Sequence, residues 1–180
     1  MTSWDKKNLT LKPGHKWKAK PGCKILVTDQ GAVRFDVPEA WIVIPATDSV
    51  KIHDKQPPDD DCALAVSHVR LPPIDWTGLP IVKLLSDSTK QIGLHVPKTG
   101  AIVEQRRADL AIAWREIHFI DDKEQRPAIS RILVGRRKLI QCLITFDFWL
   151  TDLDRCNPVW STVLDTLTLG EFVTDPTTGR

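Results

Sequence analysis

Between Leu110 and Ile120 two sets of side chains alternate, Leu110, Ile112, Trp114, Glu116 and His118 against Ala111, Ala113, Arg115, Ile117 and Phe119. That period of two predicts a β-strand. Residues 129–148 have the same character on a larger scale. Ile129, Ile132 and Val134, then Leu139, Ile140, Leu143, Ile144 and Phe146, are aliphatic or aromatic, and Gly135 with the basic trio Arg136, Arg137 and Lys138 marks a turn. A long hairpin is expected there. Earlier in the chain, residues 24–28 and 33–37 flank the turn signal Asp29-Gln30-Gly31, with Val33, Phe35 and Val37 on one side. Residues 41–44 read as a short apolar strand bounded by Pro38 and Pro45, where the missing donors fall at strand ends. Residues 50–54 and 62–71 form a further pair. In its second strand Leu64, Val66, His68 and Arg70 share one face and Ala63, Ala65, Ser67 and Val69 the other. Residues 101–104 return to strand character, and 121–126 form a polar loop.

Twice the period lengthens to that of a helix. Asn157 can cap a helix whose first position is Pro158 and whose end is Gly170, with Val159, Trp160, Val163, Leu164 and Leu167 on one stripe. After Pro72-Pro73, Thr77 can cap a helix over 78–92, with Ile81, Leu84, Leu85, Ser88 and Ile92 facing one way and Gly93 at its end. Strands, helix, strands, helix predicts the α+β class, a largely antiparallel β-sheet with helices packed on it.

The 180 residues suffice for one domain with its own core, and 42% hydrophobic and 27% charged residues are ordinary for a globular chain. The net charge of +2 gives no general pull toward nucleic acid or membrane. Its distribution is uneven: the first 24 residues carry seven lysines against Asp5, a balance of +6, which leaves −4 for the rest. Residues 1–22 therefore read as a flexible basic arm, 23–172 as the domain and 173–180 as a flexible tail. Trp4 and Trp17 among the lysines keep a polyanion-binding arm in view, although plain solvated chain is the simpler reading. No apolar run of signal-peptide or membrane-spanning length is present, which points to a cytoplasmic protein.

Candidate chemistry is sparse. Cys23, Cys62, Cys142 and Cys156 form no C-x-x-C pair and read as idle buried thiols. His15, His53, His68, His95 and His118 show no ligand spacing, though His53, His68 and His118 lie on expected strands that could be neighbours. The run Asp59 to Asp61 lacks the alternation of a calcium loop, and Asp121-Asp122 and Asp152 with Asp154 read as solvated acids. No G-x-S-x-G elbow, phosphate loop or G-x-G-x-x-G turn occurs, so no cofactor is expected. Seven tryptophans without a tyrosine are distinctive. Trp41, Trp114 and Trp160 fall at core positions, whereas Trp76 and Trp149 flank element ends, where an indole can anchor a partner. Arg136 and Arg137 are the accompanying candidates, against the simpler reading of a solvated basic turn.

The strand Val33-Arg34-Phe35-Asp36-Val37-Pro38-Glu39-Ala40-Trp41 is similar to the "f-x-x-P-x-x-W" opening of the PsbP-like and Ran-binding Mog-type fold group, which includes DcrB-like bacterial proteins. Leu143-Ile144-Thr145-Phe146, followed by Pro158-Val159-Trp160 and residues 164–169, resembles the group's terminal strand and helix, so the likeness spans about residues 25–170. It implies an antiparallel sheet sandwiched by helices (an α-β-α arrangement) and work by binding: the group holds photosystem subunits, a Ran partner and chaperone-like adaptors. No functional residue carries over. The expectation is a non-catalytic bacterial protein-interaction or adaptor domain that offers a sheet face, or the Trp76 and Trp149 regions, to a protein partner. Two alternatives stand beside it. One is a small-ligand or metal-assisted enzyme with a pocket around His68, Trp114 and His118; the other is polyanion binding by the amino-terminal lysines.

Overall fold

A computed structural model describes residues 5–92 and 98–180. Trp4, Gly93, His95 and the side chain of Ile92 lie outside the described residues. Strands β1 (Cys23–Thr28) and β2 (Val33–Pro38) pair antiparallel across a 3-10 turn, Asp29–Gly31, as the turn signal predicts. They belong to a small three-stranded sheet completed by β11 (Thr168–Leu169), which joins β2 from the far end of the chain.

The large sheet has eight strands. β3 (Ile42–Pro45), β4 (Val50–His53), β5 (Cys62–Arg70), β10 (Ile140–Trp149), β9 (Pro127–Arg137) and β8 (Leu110–Ile120) lie side by side, every pair antiparallel. At its far edge β7 (Val103–Arg107) covers the first half of β8 and β6 (Lys98–Thr99) the second. The β9–β10 hairpin turns at Lys138, whose φ of +51° lies in the left-handed region. Gly135, Arg136 and Arg137, expected in the turn, are strand residues instead, because continued pairing satisfies their backbone groups.

Helix α2 (Leu153–Thr166) packs on the inner face of this sheet together with the small sheet. Val33, Phe35, Leu64, Ile144, Phe146, Val163 and Leu167 are fully buried between them. The expected start of α2 at Asn157-Pro158 is corrected: the helix begins at Leu153 and Pro158 lies inside it. Leu153 and Cys156 pack against the core and Arg155 bonds back to Asp152, so tertiary contact and a local ion pair start the helix earlier. The Asp154 carbonyl that Pro158 leaves without an intrahelical donor is on the exposed side, where water can serve it. Its end also differs, because Leu167 leaves helical geometry and turns inward before β11 begins.

Helix α1 (Ile81–Ile92) lies on the outer face, making a second core with Ala113, Ile117, Ile132 and Val134. It starts at Ile81 and not at Gly78, since Pro80 keeps Leu79 from helical geometry. Its buried stripe is Ile81, Leu85 and Thr89; Ser88 points to solvent and bonds the Leu84 carbonyl. Helices on both faces of an antiparallel sheet are the α+β arrangement expected. The described part of the arm does not hang free: His15 is buried and bonds the Pro176 carbonyl, Lys12 N donates to Thr177 O, and Lys20 N donates to Asp36. Residues 12–20 of the arm thus contact the tail and the body. Among the described residues no helix is long and apolar enough to cross a membrane.

Candidate functional site

Strict alternation along β10 sorts its side chains. Cys142, Ile144, Phe146 and Phe148 enter the inner core, while Gln141, Leu143, Thr145, Asp147 and Trp149 look outward. The same rule places Ala63, Ala65, Ser67 and Val69 outward on β5. Helix α1 covers only the β8 and β9 half of this outer face. The half formed by β4, β5 and β10 stays open, and small residues on β5 leave Leu143 (43% exposed) and Val69 (54%) proud of it.

Two arginine–tryptophan pairs bracket the open half. At one end Arg136 donates to Gln141 Oε1 (2.7 and 3.0 Å) and to the Leu79 carbonyl (2.9 Å), and lies 5.6 Å from the Trp76 ring. Burial pushes its pKa down, yet it stays charged because an arginine starts so high. At the other end, roughly 27 Å along β10 at strand rise, Arg126 sits 4.4 Å over Trp149. A cleft of about 160 Å³ opens beside Trp149, with Phe119, Ala128, Asp60, Asp61, Asp121 and Asp147 in its walls. Asp147 remains accessible at its mouth. Even so, desolvation by the surrounding atoms raises its pKa, against a hydrogen bond from Ser130 and the charge of Lys51. Trp76, Arg136 and Trp149 thus share one face. Arg137 does not: it points the opposite way, bonding Asp109 (2.6 Å), the Leu169 carbonyl and Glu171.

His68, Trp114 and His118 share the inner face but form no common pocket. His68 belongs to the row His68, Cys142, Gly135, Ile112, and His118 to the row Cys62, Phe148, Ile129, His118, at diagonal corners of the sheet. Trp114 lies between, packed edge-on against Trp160 at 5.5 Å. His68 approaches Thr28 Oγ1 (3.5 Å) and Asp29 (3.7 Å). His118 bonds Glu116 Oε1 at 2.7 Å, and Glu116 receives Arg131 Nε at 2.9 Å. His53 is on the outer face, bonded to Asp60 at 2.7 Å. No cluster of three or more potential metal ligands occurs among the described residues.

A larger cavity, about 830 Å³, lies under the amino-terminal arm against β1. Lys6, Lys7 and Lys24 on its wall are matched by Asp5, Asp29 and Asp175, so it has no excess positive charge for a polyanion. Lys24 itself is engaged by the carbonyls of Glu39 and Trp41. The sequence points to a sheet face and to Trp76 and Trp149, but not to which half of which face is open. The signal for the open half was Leu143, an aliphatic residue set between Gln141, Thr145 and Asp147 in the outward register of β10, hidden because Leu143-Ile144 reads as one apolar run.

Residues 24–173 match the Alr1449 protein family. The uncharacterized protein alr1449 of Nostoc sp. is 45% identical over 177 residues, spanning 98% of this chain and 92% of its own. Among solved structures, this chain is similar to cyanobacterial PsbP (CyanoP) of Synechocystis, with a TM-score of 0.58 and 11% identity over 83% of this chain and 93% of that one. The Saccharomyces cerevisiae Ran-binding protein Mog1p gives a TM-score of 0.52 at 10% identity over 82% and 95%. LpqN of Mycobacterium tuberculosis, involved in cell envelope biogenesis, gives 0.56 at 11% over 81% and 89%. The fold is therefore that of the PsbP and Mog group, as the opening strand and terminal helix imply.

Proposed function

The chain belongs to the Alr1449 family, and from that premise we propose that it is a non-catalytic protein-binding module whose docking surface is the open half of the outer sheet face. One observation carries the reading: Leu143 stands exposed on the sheet surface between Trp76–Arg136 and Trp149–Arg126, with Val69 exposed beside it in the row of Arg136. Apolar residues framed by tryptophan and arginine are the composition of binding hot spots. Elsewhere in this fold group Mog1p is a Ran-binding protein, so the architecture is compatible with protein recognition. The partner is a protein surface with an apolar strip and a lysine or arginine at the end that meets Asp60, Asp61, Asp121 and Asp147.

A photocrosslinking residue at position 143 tests this in the native host, with the same residue at Lys90, on the solvent side of α1, as the control. A discrete adduct from position 143 alone, weakened at least tenfold by Val69→Glu, is expected. Equal adducts from both positions, or indifference to Val69→Glu, would sink the reading. All three altered positions, 69, 90 and 143, are exposed, and each change should alter stability by no more than about 0.5 kcal/mol, so loss of binding would not reflect unfolding.

A further inference from the structure

Cys62 and Cys156 are separated by 94 positions, yet their sulfurs are 3.1 Å apart, and the two residues are 1% and 0% exposed. Cys62 opens β5 and Cys156 lies in the second turn of α2. Arg155 Nη2 donates both to Cys62 Sγ at 3.2 Å and to Asp152 at 2.9 Å, while its Nε holds Asp152 (3.1 Å) and its Nη1 holds Asp54 (2.8 Å). Both thiols are free.

We propose that Cys62 and Cys156 are a peroxide-reactive dithiol that closes to a disulfide joining β5 to α2. The sulfurs need approach by only about 1 Å to reach bonding distance. Their environment is unlike that of idle core thiols. The two sulfurs share an S–H···S hydrogen bond that either can donate, and the Arg155 and Arg131 guanidiniums add positive charge. Together these hold Cys156 below the ordinary thiol value against burial and the nearby Asp152. Cys62 is pushed up by the hydrogen bond to Cys156, by burial and by Asp54. Arg155, whose guanidinium touches Cys62 Sγ, is itself 44% exposed, so a small oxidant would reach the sulfurs past this side chain.

The chemistry balances with one peroxide. The Cys156 thiolate attacks a peroxide oxygen, the O–O bond breaks, and the departing hydroxide takes a proton to leave as water. The Cys62 sulfur then attacks the sulfenic sulfur of Cys156, the S–O bond breaks, and the Cys62 proton leaves with the hydroxide as a second water. Two thiols are oxidised by two electrons and one peroxide is reduced.

Reduced full-length protein treated with hydrogen peroxide, then mapped by peptide mass, is the test. The expected product is a Cys62–Cys156 cross-linked peptide lacking two hydrogens, with Cys23 and Cys142 still open to alkylation after denaturation. Closing so long a loop should raise the melting temperature by roughly 10 °C, reversed by dithiothreitol. Arg155→Gln should move the pH profile of the oxidation rate to higher pH, and Arg155→Lys should largely restore it, an outcome that loss of packing would not produce. Sulfinic or sulfonic acid on either residue without the cross-link, or bonds to Cys23 or Cys142 instead, would overturn the proposal.

Discussion

Arg131 is 5% exposed on the inner sheet face, where most neighbours are apolar. Its Nε donates to Glu116 Oε2 (2.9 Å), its Nη2 to Asn157 Oδ1 (2.6 Å), and its guanidinium lies 5.1 Å from the Phe148 ring. Replacing it with alanine leaves the Glu116 carboxylate with His118 as its remaining partner and removes the contacts to Asn157 and Phe148, and the expected loss is about 3 kcal/mol, read from urea denaturation. Glu116 supplies the pH dependence. Burial alone would raise its pKa, but the hydrogen bonds from Arg131 and His118 outweigh it and leave the carboxyl below its ordinary 4.5. A carboxyl depressed in the folded state stabilises fully above pH 4.5 and loses that contribution as the pH falls through the lower folded value. Glu116→Gln should therefore flatten the acid limb of the stability curve, checked by denaturation at several pH values between 3 and 6. Only part of this network was legible in the sequence. Glu116 and His118 were placed correctly on one strand face, but Arg131 and Asn157 come from other elements, and Asn157 read naturally as a helix cap.

Elements were read best where side chains repeat within one strand. β8 emerges with the bounds that alternation predicts, and β1 and β2 pair in the register set by their turn. Helix ends were read less well, because Leu153 starts α2 for the sake of core contact and Leu167 leaves it to fill the core. The turn between β1 and β2 also serves as a seat for the chain's end. Gly31 has φ of +116°, and a Cβ there would lie 2.2 Å from the Glu171 backbone oxygen. Gly31→Ala should cost about 3 kcal/mol, combining backbone strain with a clash that only backbone movement relieves, and a melt against wild type measures it.

Across the whole molecule the two termini behave as one unit. His15 bonds Pro176 O, Lys12 meets Thr177, and Arg34 lies over Trp17 and pairs with Glu171. Removing residues 1–19 should expose the end of the chain, so that limited proteolysis trims residues 173–180 well before the core is cut. The sequence by itself determined the class, the strand faces and the presence of two packing helices, because those follow from side-chain periods repeated within a single element. It also carried the resemblance to the PsbP and Mog group, since the residues that mark it are core residues whose spacing a fold constrains. Tertiary structure alone decided which half of the sheet α1 leaves open, that Arg136 and Arg137 face opposite ways in one extended strand, and that Cys62 meets Cys156. Each depends on how elements distant in the chain are placed, and no local period records that placement.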